Sequence, residues 1–221
     1  MDWTQAIDAY CERTDASYWS EPINALTNLA FIIGAIVMWQ RCRGLTSGYI
    51  LAAMLFAIGV GSWLFHTHAT PWAAISDVIP IILFSMTYVF LANRDFWGMP
   101  VWMALVGAAL FLPYSAIVGQ AAGTIPFFRI SAEYWPLPLL IFVYAFLLRR
   151  RHPATAHYLA IGAAILCVSL TARSIDEPLC EAIPHGTHWA WHILNAVMLS
   201  WMIETWRRHQ ITARRRPDAL Q

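Results

Sequence analysis

The sequence predicts an all-α, polytopic integral membrane protein with seven transmembrane helices. Two observations carry that fold class. Of the 221 residues, 59% are hydrophobic and only 12% are charged, whereas soluble domains carry about 25% charged residues. So little charge cannot cover a water-facing surface. The apolar residues also fall in runs close to the roughly 20 residues that a helix needs to cross a bilayer.

The runs are read at 23–40, 49–66, 72–92, 99–118, 132–148, 156–173 and 187–206. The first begins near Asn24, after a segment holding Asp2, Asp8, Glu12, Asp15 and Glu21. With those acids the start does not read as a cleaved signal peptide, which is expected to open on basic residues and an apolar stretch. The second and third runs form a tight hairpin around His68–Pro71. The fourth follows Arg94 and Trp97, and the fifth carries Glu133, Pro136 and Pro138 at its start. The sixth and seventh flank an acidic loop with Asp176, Glu177 and Glu181. Trp39, Trp72, Trp97, Trp135 and Trp206 lie near run ends, where the amphipathic indole prefers to sit.

Basic residues orient the bundle. Arg41 and Arg43 follow the first run, Arg94 the third, Arg149–Arg151 the fifth, and Arg207, Arg208, Arg214, Arg215 and Arg216 the seventh. The alternate loops hold only Arg129 and Arg173. Positively charged loops stay cytoplasmic, which predicts an outer N-terminus and a cytoplasmic C-terminus. An odd number of spans agrees. The expected organisation is one membrane domain over residues 1–221, with an outer segment at 1–22 and a basic cytoplasmic tail at 207–221. A net charge of +1 gives no field to attract nucleic acid. All 14 basic residues are Arg, as in an Arg-rich bacterial proteome, so the expected location is a bacterial inner membrane.

Ionisable residues inside a membrane are costly, and each is a functional candidate. His66, Asp77, His188 and His192 share one depth near the outer face. His188 and His192 are four apart and lie on one helical face. That geometry suits two ligands of one metal, and equally two histidines bonded to neighbouring helices. His66 is a third ligand candidate, while His68 falls in the exposed turn. Three protein ligands plus an open position is the pattern of catalytic zinc. Ser62 lies one turn below His66 on the same face, and Gly59 and Gly61 allow close helix approach. Ser62 and Asp77 are each about six residues from the hairpin turn, so they reach similar depths at about 1.5 Å per residue. In the outer segment, Asp8, Glu12, Asp15 and Glu21 are either a solvated tail or hard oxygen ligands for calcium. Cys11 and Cys180 are both outer, and a pair in an oxidising compartment can form a disulfide. The alternative is two free thiols.

Three blocks then resemble a known family: YCERTDASYWSEPINALTN at 10–28, GVGSWLFHTHATPWAAISDVIP at 59–80, and THWAWH at 187–192. The chain is similar to the alkaline ceramidases, within the seven-span hydrolases that include progestin and adiponectin receptor-like proteins. The resemblance implies zinc on His66, His188 and His192, with Ser62 and Asp77 completing the catalytic group and the Cys11–Cys180 disulfide present. It also implies calcium held by Glu12, Glu21 and the backbone carbonyl of Tyr10. The chain departs from the family pattern at Ala9, where the family has Asp, and at Thr14, where it has Asn. The spacing to Glu21 is shorter as well. These departures bear on calcium and leave zinc untouched, and Asp8 or Asp15 is a candidate to compensate.

The expected activity is hydrolysis of ceramide or a similar N-acyl lipid, with the site toward the periplasmic face. Two other readings stand beside it. One is a related seven-span lipid esterase or phospholipase, because the same site can attack either carbonyl. The other is a receptor-like membrane protein whose zinc is not catalytic. A structural zinc needs neither Ser62 nor Asp77.

Overall fold

The computed structural model describes residues 2–215, and every regular element among them is helical. In order these are α1 (Pro22–Thr27), α2 (Leu29–Arg41), α3 (Thr46–His68), α4 (Pro71–Phe96), α5 (Val101–Gly123), the single turn α6 (Pro126–Arg129), α7 (Pro136–Leu148), α8 (Pro153–Ser174) and α9 (His188–Arg215). A short 3₁₀ turn, Glu177–Leu179, lies in the loop before α9. Each of the seven apolar runs coincides with a helix, α1 and α2 together forming the first.

Five of these helical segments are long and apolar enough to cross a membrane: Pro22–Arg41, Thr46–His68, Pro71–Phe96, Val101–Gly123 and Pro153–Ser174. The other two runs differ from their expected bounds for identifiable reasons. The fifth run was expected at 132–148, yet α7 has only 13 residues. Proline fits without penalty only in the first helical turn; Pro136 and Pro138 lie in that turn of α7, and residues 131–135 form turns. At 1.5 Å per residue α7 spans about 20 Å, less than the roughly 30 Å hydrocarbon core. The last helix, in contrast, runs past the expected 206. Arg207 and Arg208 pair with Glu204 at 2.7 and 2.8 Å, and such i,i+3 and i,i+4 pairs favour continued helix. The expected basic tail is therefore helical as far as Arg215. Arg216 and the rest of that tail lie outside the described residues.

Neighbouring helices pack in sequence, α2 on α3, α3 on α4, α7 on α8 and α8 on α9, while α2 and α9 also meet and bring the two ends of the chain together. The core is built from Phe31, Leu51, Leu55, Ile58, Leu159, Leu166, Leu170 and Ile203. Ile33, Ile36, Leu105, Val106, Leu110 and Ile117 are exposed on α2 and α5, an outward apolar belt suited to lipid, since spanning helices satisfy their own backbone groups. One end of the bundle gathers the arginines: Arg41 on Glu204, Arg94 on Asp95, and Arg151 donating to the Trp97 carbonyl. His66, His188 and His192 cluster at the opposite end, where α3 ends and α9 begins.

The N-terminal segment is tied to this second end. Cys11 and Cys180 form a disulfide across a separation of 169 residues, with Cα atoms 5.1 Å apart. Cys42 and Cys167 are free. Closing so long a loop constrains the unfolded chain, and removal of a native disulfide costs about 2–5 kcal/mol. Cys180→Ser is expected to lower the thermal midpoint. Reductant should reproduce that loss in the parent chain and leave the variant unchanged, which melting curves with and without reductant would check.

Candidate functional site

The end of α3 and the start of α9 bring three histidines together. His66, His188 and His192 are buried, and their candidate ligand atoms all lie within 4.8 Å of one another. Ring centroids are 5.1 Å apart for His66–His188 and 4.6 Å for the other two pairs.

Each histidine is held by something the helix alone does not supply. The His66 Nδ1 meets the Glu21 carboxylate at 2.6 Å, and the His192 Nδ1 meets the Thr27 hydroxyl of α1 at 2.9 Å. Those bonds leave the Nε2 atoms for a ligand, as in metal sites where an outer group fixes the ring and its tautomer. The start of α9 is set by Asp176. One of its oxygens accepts the N–H groups of Thr187 and His188 at 2.6 and 2.8 Å, and the other accepts the Cys11 N–H. A carboxylate there satisfies the unpaired amides of the first turn and the positive end of the helix dipole. Gly186 is needed beside it, because its φ is +58° and a Cβ would collide with the Asp176 carboxylate.

The residues fit a metal ion. Two buried ring atoms, His188 Nδ1 and His192 Nε2, have no hydrogen-bond partner. Buried polar atoms are almost always paired, and two orphans in one histidine cluster are what a bound cation would satisfy. Among the described residues, these three are the group of His, Cys, Asp and Glu arranged to hold one.

Ser62 and Asp77 arrive beside this cluster. Gly61 lets α3 and α4 approach so closely that a Cβ there would overlap the Ser76 carbonyl and lie 3.2 Å from the Asp77 Cα. The buried Ser62 hydroxyl is thereby within hydrogen-bonding reach of the half-buried Asp77 carboxylate. Both line a narrow cavity shared with His188, Tyr10, Tyr134, Arg173, Trp191 and Asn195. A wider cavity of about 830 Å³ lies at the arginine-rich end, lined by Arg151, Arg207, Arg208 and Thr212, and contains none of these groups.

Several of these residues escaped the sequence reading. Thr27 looks like any small polar residue in an apolar helix, and Asp176 like one more acid in an acidic loop. By sequence Arg173 bears only on topology, yet it sits in the cavity wall over the Tyr134 ring and donates to the Ile130 carbonyl. Tyr10 entered as a backbone ligand, whereas its ring stacks on His188 at 3.8 Å. Burial pushes its hydroxyl up to about 12, so the phenol stays neutral.

The expected calcium ligands do not fit that ion. Both Glu12 oxygens accept backbone N–H groups, of Ile23 at 2.7 Å and Asn24 at 2.8 Å. The Tyr10 carbonyl accepts the Arg13 N–H at 3.1 Å. Glu21 is shared between Arg13 and His66. Burial raises the Glu21 pKa, but its bonds with His66 and Arg13 outweigh burial and hold it below its usual value. Asp8 and Asp15 are exposed, and Asp15 accepts the Ser17 N–H at 2.8 Å. Calcium needs six to eight oxygens at about 2.3–2.6 Å, and here the oxygens of Glu12, Glu21 and the Tyr10 carbonyl already have partners.

A comparison with curated proteins finds no match. The family model for ceramidase matches residues 4–218, nearly the whole length, and this chain therefore belongs to the ceramidase family.

Proposed function

We propose that this chain is a zinc-dependent membrane amidase that hydrolyses ceramide or a similar N-acyl lipid to a sphingoid base or amine and a fatty acid. The observation that carries the proposal is the buried histidine cluster, with two unpaired ring nitrogens, beside Ser62 and Asp77 in a chain of this family. His66, His188 and His192 would hold the zinc, and nitrogen donors at three positions suit that metal with one position left open. When bound, it would supply Lewis-acid polarisation of the amide carbonyl and acidify the attacking water toward a pKa of about 7.

The chain's own groups do the rest. Asp77 takes the proton from the water as its oxygen bonds to the carbonyl carbon. It then delivers that proton to the amine nitrogen as the C–N bond breaks. The Ser62 hydroxyl turns from Asp77 to donate its hydrogen to the oxyanion that forms. Tyr10, packed on His188, shields the cluster from water, and the apolar walls of the bundle accept the acyl chain.

In this proposal α7 and α9 complete a seven-span bundle. The gathered arginines face the cytoplasm and the histidine end faces outward; in a bacterial inner membrane that is the periplasmic face. An amphiphile would then enter from the outer leaflet.

Metal analysis of the purified protein, combined with a panel of ceramides, N-acyl amino lipids and phospholipids, tests the reading. The expected result is about one zinc per chain, as a three-histidine site requires, and cleavage of the amides. Zinc far below one per chain would remove the metal site, and cleavage of esters without amides would make the chain a lipid esterase.

A further inference from the structure

Arg13 is a buried cation in the outer segment, two residues from the disulfide. Its side chain is 4% exposed and that of Glu21 is 3% exposed. The guanidinium uses three nitrogens in three directions. Nε donates to Glu21 at 2.5 Å, Nη1 to the Asp15 carbonyl at 3.0 Å, and Nη2 to the His66 carbonyl at 3.2 Å. One group thus joins the loop, the start of α1 and the end of α3. The other Glu21 oxygen faces the His66 ring.

We propose that Arg13 is the built-in cation of this segment, standing where the family resemblance implies calcium and holding Glu21 against His66, so that the site assembles without a divalent ion there. The argument is one of charge and valence. Desolvating a carboxylate is tolerated only when it is paired and its remaining lone pairs are satisfied. A divalent ion could meet that need for Glu21, and so can a planar guanidinium, whose fork of donors also fixes direction. The two exclude each other, since a calcium ion on Glu21 would face the Arg13 charge at close range. The replaced residues agree: Ala9 offers a methyl group where the family pattern has a carboxylate, and Thr14 is exposed. The loop closes on groups of its own, with Ser20 Oγ accepting the N–H groups of Thr14 and Asp15 at 3.0 and 3.1 Å.

Arg13 and Glu21 are positioning residues, which act on the reaction through the ring of His66. That end of the inference rests on the zinc reading above; the replacement of calcium does not.

The test uses the full chain, purified in detergent in buffer stripped of calcium by a chelating resin. Thermal unfolding is recorded with and without added calcium chloride, and zinc retention is measured by dialysis against a weak chelator. The parent chain is expected to melt at one temperature in both buffers. Arg13→Ala leaves one oxygen of the buried Glu21 without its cation and is expected to melt about 6–20 °C lower. It should also retain zinc about 10–100-fold less tightly. Arg13→Lys keeps the charge without the fork and should fall between. It carries the same measurements if the alanine variant does not accumulate. A saturable rise of the parent midpoint with calcium overturns the proposal, as does an alanine variant with unchanged midpoint and zinc retention. A parent chain that holds no zinc, is indifferent to calcium and loses stability on Arg13→Ala would remove the zinc reading and leave the built-in cation standing.

Discussion

Replacing Asp77 by Asn is expected to lower amide turnover by about 10²–10⁴-fold, the range that a positioned proton-transfer group supplies, while zinc content stays near that of the parent. The two readouts separate because Asp77 is not among the three residues whose ligand atoms cluster. The amide keeps the carboxylate's shape and can still meet Ser62, so packing between α3 and α4 at Gly61 is preserved. Only the ability to take up and return a proton is lost. The change should therefore appear in kcat with little movement in KM. Hydrolysis of every lipid surviving Asp77→Asn would sink the enzymatic assignment and favour a receptor-like protein with a non-catalytic metal.

Loss of a histidine should act in the opposite way, through the metal. His192→Ala is expected to remove both zinc and turnover, with metal affinity falling more than the 10–100-fold typical of an outer partner. His192 is suited to this test because its Nδ1 is anchored by Thr27 and its Nε2 is a buried, unpartnered atom. Zinc should also stabilise the parent, by about 2.7 kcal/mol at a free concentration 100 times the Kd, and His192→Ala should abolish that gain. Titrating zinc into metal-stripped protein while following the melting temperature checks both points. A variant that kept full zinc occupancy would show that His192 is not a ligand.

The candidate site residues are legible in the sequence because their signals are local. His188 and His192 share a face through the helical repeat alone. The depths of Ser62 and Asp77 follow from counting outward from the hairpin at His68–Pro71. The disulfide needed only the inference that Cys11 and Cys180 lie on the same side. The partners of the histidines were not visible, since nothing local marks them. Glu21 and His66 are 45 residues apart, and Thr27 and His192 are 165 apart. The acid cluster read as calcium ligands shows the same limit. Glu12 and Glu21 are oxygen donors by composition, but composition does not reveal that amides of α1 and the guanidinium of Arg13 have taken those oxygens.

What the sequence alone determined is the helical membrane character, the seven apolar runs and the depth of each polar residue within them. Hydropathy and the 1.5 Å rise are properties of a segment by itself. What only the tertiary structure decided is which groups satisfy one another at the histidine end. Glu21 serves Arg13 and His66, Thr27 orients His192, and Asp176 starts α9 while standing against Cys11. In a desolvated site every charge and every polar atom needs a partner. The fold, by bringing distant segments to one place, chooses an arginine for Glu21 and leaves two ring nitrogens of the histidines for a metal.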